Sequence, residues 1–172
     1  GYKNHTVRYT GSARVESNYR ETVAQGEKRD GAGGQLLGID PEQEEKFSGI
    51  SKFVIRGSYL NTLDQDSVLI GKNLLFEFTP IEAPGFTSLK NVSIGSKIKV
   101  TVGDASKEYF VKGFIKSKVD DFDTSVVALD SEVRKLMGRD DLNAGTIAIQ
   151  LMPGTDPNQV KNFLVASGVG EY

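Results

Sequence analysis

From His5 to Glu16 the chain alternates. His5, Val7, Tyr9, Gly11, Ala13 and Val15 fall on one side, and Thr6, Arg8, Thr10, Ser12, Arg14 and Glu16 on the other. A period of two predicts a long strand of a one-side-buried antiparallel or mixed sheet. Residues 17–34 carry little pattern. Gly26, Gly31, Gly33 and Gly34 predict a loop there, with room for a short strand at Glu21 to Val23. Leu36 to Ile39 reads as a short buried strand.

Asp40-Pro41-Glu42 is a helix start. Asp40 caps, Pro41 suits the first turn, and Glu42, Glu44 and Glu45 favour the positive end of the helix dipole, with Gly49 as the stop. Ser51 to Ile55 continues as a turn or a second helical piece, and Gly57 breaks the pattern. Ser67 to Ile70 is a strand with a turn at Gly71. Leu74, Leu75 and Phe78 predict a helix over Lys72 to Phe78, ended by Pro80, Pro84 and Gly85, with a loop over 79–91.

Lys97 to Val102 alternates with Ile98, Val100 and Val102 inward. Gly103 to Ser106 turns, and Glu108 to Lys116 returns as the second arm of a hairpin. Ser125 to Leu129 is a buried strand. Asp130 caps a short helix with Val133, Leu136 and Met137 as its stripe, stopped at Gly138. Thr146 to Leu151 alternates with Ile147, Ile149 and Leu151 inward. Asp156-Pro157 opens a last helix, whose stripe is Val160, Phe163 and Leu164 and whose stop is Gly168. Strands and short helices mix without a strict strand-helix-strand rhythm. The predicted class is therefore α+β, a mixed sheet with short helices.

The 172 residues suffice for one ordinary domain or two small lobes. Apolar residues make up 38% and aromatics 9%, enough for a core. Charges are interspersed at 26% with net −2, so there is no basic field to expect of a nucleic-acid binder. No cysteine is present, which excludes a disulfide framework, a thiolate zinc site and a cysteine nucleophile. No run of about 18 apolar residues is present to span a bilayer. The chain opens on Gly1 and is read as a piece of a longer protein, with targeting or anchoring segments outside it.

Candidate chemistry is sparse. His5, the sole histidine and so the only base for a Ser-His-Asp arrangement, sits on the apolar-patterned face of a strand near the start of the chain and reads as structural. Asp120, Asp121 and Asp123 cluster around Phe122, and Asp64 and Asp66 form a second pair. The pattern of a calcium loop fails, because Ser131 and Glu132, the residues about twelve positions on from Asp120, follow a strand and not a loop. These acids read as a solvated, acidic strand-to-strand connection, with a weak surface cation site as the alternative.

Gly31-Ala32-Gly33-Gly34 lacks a phosphate-loop lysine. Gly71-Lys72 is followed by Asn73 and preceded by Asp66 five positions earlier, so neither glycine cluster cradles phosphate, and both read as positive-φ turns. No acid pair is singled out for glycosidic chemistry. Lys107, Tyr109 and Phe110, and Lys112, Phe114 and Lys116, follow from alternation on the hairpin. Asn4-His5-Thr6 and Asn91-Val92-Ser93 are glycosylation sequons by spelling only. No catalytic, cofactor-binding or metal-binding residue is assigned.

The order of several segments resembles the extracytoplasmic domain of MacB-like (FtsX-like) ABC transporter permeases, a family of macrolide exporters and lipoprotein-release permeases. The likeness runs from Leu36 to Leu164. It includes Gly38-Ile39-Asp40-Pro41, Arg56-Gly57-Ser58-Tyr59-Leu60 with its Gly and Arg exchanged, Val68 to Leu75, Val92 to Val102 and Phe110 to Ile115. Two features depart from the family: the length of 79–91 and the absence of a helix ahead of His5.

The resemblance implies a porter-like α/β lobe (1–66 and 146–172) and a mainly β lobe (67–145). It implies a non-catalytic domain on the outer side of the membrane, between two membrane helices, coupling cytoplasmic ATP hydrolysis to efflux, lipoprotein release or signalling. The implied partners are a cytoplasmic ABC ATPase, a second permease copy, and a periplasmic adaptor or a lipoprotein or peptide substrate. Substrate or partner contacts are expected where the lobes meet or on loops such as 79–91. No cofactor and no nucleic acid are expected. A free-standing peptide- or carbohydrate-binding module and a small hydrolase using scattered carboxylates stand as alternatives.

Overall fold

The computed structural model describes residues 1–81, 83, 85–141 and 144–169. Among these residues, eight strands and four short α-helices form an α+β fold with a mixed sheet. Strand β1 (Tyr2–Glu16) is followed by β2 (Gly31–Ile39), helix α1 (Pro41–Ser48) and β3 (Val54–Gly57). Next come β4 (Ser67–Gly71) and the hairpin β5 (Lys97–Val102) and β6 (Ala105–Ile115). The chain continues with α2 (Asp120–Asp123), β7 (Ser125–Leu129), α3 (Asp130–Leu136), β8 (Thr146–Leu151) and α4 (Pro157–Ala166).

The strand order is β2-β7-β4-β6-β5-β1-β8, and β1 also pairs with β2. The ladder therefore returns on itself, and six strands close into a ring. The larger hydrophobic cluster takes Val15 from β1, Leu36 from β2, Ile70 from β4, Val100 from β5, Tyr109 from β6 and Val126 from β7. All six ring strands thus contribute to one core, and closure leaves them no bare edge. A second cluster, with Leu37, Ile39, Leu69, Ile115, Phe122 and Val127, covers the other side of four of these strands, β2, β4, β6 and β7. That explains the unbroken apolar runs of β2, β4 and β7: these strands are buried on both faces. Hydrogen bonds cross between segments 1–66 and 67–145 in three ladders, β1–β5, β2–β7 and β3–β6.

Helix α1 forms as its sequence predicts. The Asp40 carboxylate accepts the amides of Glu42 at 2.9 Å and Gln43 at 3.0 Å, and Gly49 ends the helix at φ 63. The β5–β6 hairpin also forms, with a tighter turn of Gly103 and Asp104 only.

Other expectations are corrected. Residues Gly31 to Gly34 are strand rather than loop, and no strand forms at Glu21 to Val23. A Cβ on Gly34 would stand 2.7 Å from both the Leu74 side chain and the Thr124 carbonyl, so glycine there permits close packing. Gly71 is likewise extended, at φ −68, and not a positive-φ turn. A Cβ there would meet the Phe122 carbonyl oxygen at 2.3 Å. The helix predicted over Lys72 to Phe78 is a single 3-10 turn, Lys72–Leu74. Leu75 is already extended and bridges to Leu89, because both leucines are drawn into the core. Pro84 lies outside the described residues. Asp130 is the first residue of α3 rather than its cap.

A bulge opposite Val68 and Leu69 skips Lys112 on β6. It shifts the side-chain parity, so Tyr109 and Val111 before it and Phe114 after it all reach the larger core.

Candidate functional site

Two surfaces stand out, one at each end of β1. The first is built by the 17–30 connection together with Ala83 and the segment from Phe86 to Asn91. Asp30 clasps them together. Its Oδ1 accepts the Lys90 amide at 2.9 Å, and its Oδ2 accepts the Asn91 amide at 2.9 Å and the Ser17 hydroxyl. The Asp30 amide donates to the Asn18 side chain at 2.8 Å, and the Arg29 guanidinium donates to the Tyr19 carbonyl at 2.8 Å. Between the segments lies a cleft of about 510 Å³ whose walls include Lys28, Arg29, Phe86 and Lys90. A second hollow of about 310 Å³ shares Lys28, Arg29 and Thr87 and extends to Arg14. Phe86 is 69% exposed at the rim.

The second surface is an apolar groove of about 650 Å³ between the start of β1, strand β8 and helix α4. Tyr2, Ile147, Ile149, Phe163 and Leu164 are among its walls. The stripe predicted for α4 is present, but no residue of that helix is buried, and Phe163 is 70% exposed. The inward set predicted for β8 is only partly covered, with Ile147 48% exposed. His5 lies on this groove, edge-on to Tyr2 with ring centroids 6.0 Å apart.

The predicted acids separate. Asp64 takes the Asn61 amide at 2.7 Å and pairs with Lys112, while Asp66 pairs with Lys107 at 2.9 Å. Asp120, Asp121 and Asp123 lie on helix α2 in the connection from β6 to β7, where Asp120 and Asp121 are exposed as expected and Asp123 is not. Asp123 is buried; it accepts the Ser117 amide at 2.7 Å and pairs with Lys72 at 3.0 Å. Lys72 is thus spent on a structural pair. Among the described residues, no group of three or more His, Asp or Glu side chains is placed to hold a metal ion. The Asn91 of the second sequon is held by the Asp30 clasp.

Several polar anchors have no sequence signature. Glu44 of α1 is fully buried against Thr6 and Arg8 of β1, on the face expected to be solvent-exposed. Lys107 gathers Glu132, Asp66 and the Gln65 carbonyl. Burial raises the Glu132 carboxyl, but hydrogen bonds from Lys107 and Lys135 outweigh this and hold it below its ordinary value. Burial pushes the Tyr109 phenol up to about 12. Glu44 stands among Glu42, Gln43, Glu45 and Lys46, and Glu132 among Asp130, Ser131 and Arg134, so neither is marked by its neighbours, and the partners are too distant in sequence to name.

No protein-family description matches the sequence, and no curated protein matches it. Among solved structures, the crystal structure of the periplasmic region of MacB from Actinobacillus actinomycetemcomitans superimposes with a TM-score of 0.55. The match covers 98% of this chain and 68% of that one at 14% identity. At that identity the likeness is one of fold, and it extends over nearly every element of this chain.

Proposed function

We propose that this chain is the extracytoplasmic domain of an ABC transporter permease, a non-catalytic part that passes motion from the membrane to a substrate or partner. The observation that carries the reading is the fold likeness to a MacB periplasmic region over 98% of the chain. The geometry of the flanks supports it. The Met152 amide donates to the Gly1 carbonyl at 3.2 Å, so the start of β1 and the approach to α4 lie side by side. The pairing holds these two segments at one end of β1, the end that this proposal turns toward the membrane.

On this reading the flanks face the membrane, and the cleft near Asp30 lies at the far end of β1, on the order of 45 Å away. The porter-like lobe (1–66 and 146–172) and the mainly β lobe (67–145) belong to the same proposal. The β1–β5, β2–β7 and β3–β6 ladders stitch them, so a displacement at one end reaches the other with little loss. An ABC ATPase in the cytoplasm, a second permease copy, and an adaptor or lipoprotein would be the partners.

The location is testable because the chain has no cysteine. Asp104→Cys in the β5–β6 turn, in the protein expressed from its whole gene, supplies this chain's only thiol. A membrane-impermeant maleimide should label it in cells whose inner membrane is intact. Labelling only after that membrane is broken rejects the proposal.

A further inference from the structure

We propose that the trough running from Arg14 to Asn91 binds an acidic, extended segment of a partner protein. The two hollows that make it share Lys28, Arg29 and Thr87 and so form one continuous channel. Its described lining carries four cations, Arg14, Lys28, Arg29 and Lys90, against two carboxylates, Glu27 and Asp30. The whole chain has a net charge of −2, so this cationic strip runs against the protein's own balance.

Asp30 keeps its charge but turns both oxygens to the Lys90 and Asn91 amides and the Ser17 hydroxyl, so the lining still carries twice as many cations as acids. The Lys28 ammonium has no hydrogen-bond or ion-pair partner among the described residues. The Asp30 clasp also holds the two walls in place before any ligand arrives, which lowers the ordering cost of binding.

The shape selects the ligand. A lone phosphate is satisfied by an enclosed cradle, whereas here the cations are spread along an open channel. An extended peptide with acids at alternate positions presents carboxylates roughly 7 Å apart on one side, a matching repeat. Exposed Phe86 at the rim offers an apolar contact to its other side chains. As the docking face of a transporter partner, this inference rests on the reading above; as an acidic-peptide site, it rests on these residues alone.

The test uses the 172-residue chain and a fluorescein-labelled octapeptide of alternating Glu and Gly, with a Gln-Gly octapeptide as control. Anisotropy should show binding of the Glu peptide at about 30 mM salt and weakening of roughly tenfold at about 300 mM. Lys28→Glu should weaken binding about tenfold and Arg14→Gln about threefold. Lys28→Glu should melt as wild type, because it breaks no contact.

Failure of the Glu peptide to bind, equal binding of the Gln peptide, or indifference to Lys28→Glu overturns the proposal. Complete displacement by millimolar inorganic phosphate reassigns the trough to a small anion. Capture of phosphatidylserine vesicles that the peptide fails to displace reassigns it to a lipid surface. None of these results alters the cysteine labelling that tests location, and cytoplasmic labelling leaves peptide binding as it is.

Discussion

Glu44 on α1 grips Arg8 on β1 through two bonds: Nε to Oε2 at 3.0 Å and a terminal nitrogen to Oε1 at 2.8 Å. The Glu44 side chain is fully buried, and Thr6 adds a third bond at 3.0 Å. The Arg8 guanidinium also lies 5.0 Å from the centre of the Phe122 ring. This pair fastens α1 to the outside of β1. Removing one partner leaves the other charge buried and uncompensated. Glu44→Ala should therefore destabilise by about 3 kcal/mol in urea unfolding. The double variant Arg8→Met with Glu44→Met should recover most of that loss.

Val100 on β5 is fully buried in the ring. Val100→Asp forces an unpaired carboxylate into that core and should cost several kcal/mol. Circular dichroism melting should show a collapse of the transition, while a wild-type melting temperature would mean that the inward register of the hairpin is wrong.

Two glycines should respond in opposite ways. Gly71→Ala places a methyl against the carbonyl oxygens of Phe122 at 2.3 Å and Asp123 at 2.5 Å, all backbone, so β4 and α2 must part. A loss of about 2–3 kcal/mol is expected. Gly33→Ala on β2 meets nothing within 4 Å, and should be neutral or stabilising by up to about 1 kcal/mol. Paired chemical denaturation curves check both.

Acid should weaken the anchor at Lys107. The Glu132 carboxyl is held below its ordinary value in the folded chain, so the unfolded chain takes up the proton first as pH falls. The stability this group contributes is complete above its unfolded pKa, near 4.5, and is lost as pH drops through the lower folded value. Glu132→Gln should be less stable than wild type at neutral pH and should converge on it at low pH, as read from urea midpoints across a pH series.

The face of α4 should tolerate polar change. Phe163→Ser removes a ring that is 70% exposed, and stability should shift by no more than about 0.5 kcal/mol. A loss of several kcal/mol would mean that the helix is held more tightly than its exposure indicates.

Features set by near neighbours were legible in the chain. Alternation identified β1, β5, β6 and β8, apolar runs identified β2, β4 and β7, and caps and stops identified α1 and α4. Misreadings cluster where tertiary packing overrides local preference. Leu74, Leu75 and Phe78 have helical spacing, yet Leu75 is pulled into a bridge with Leu89. The glycines of β2 looked like loop because their use, admitting Leu74 and Thr124 closely, lies in other segments. Asp123 looked solvated because Ser117 and Lys72, its partners, come together only after folding.

The candidate site was less legible still. The 79–91 segment was marked by length, but its joining to the 17–30 connection depends on Asp30, which is 60 positions from Lys90. No pattern of a few residues encodes such a meeting.

Periodicity, capping and breaker residues operate within about four positions, so the chain's order of letters was enough to set which segments become strand or helix and which sides are apolar. Closing six strands into a ring, skipping Lys112 and burying Glu44 and Asp123 depended on contacts between distant segments. Those outcomes belong to the folded molecule, because the free energy of burying a group is set by what surrounds it.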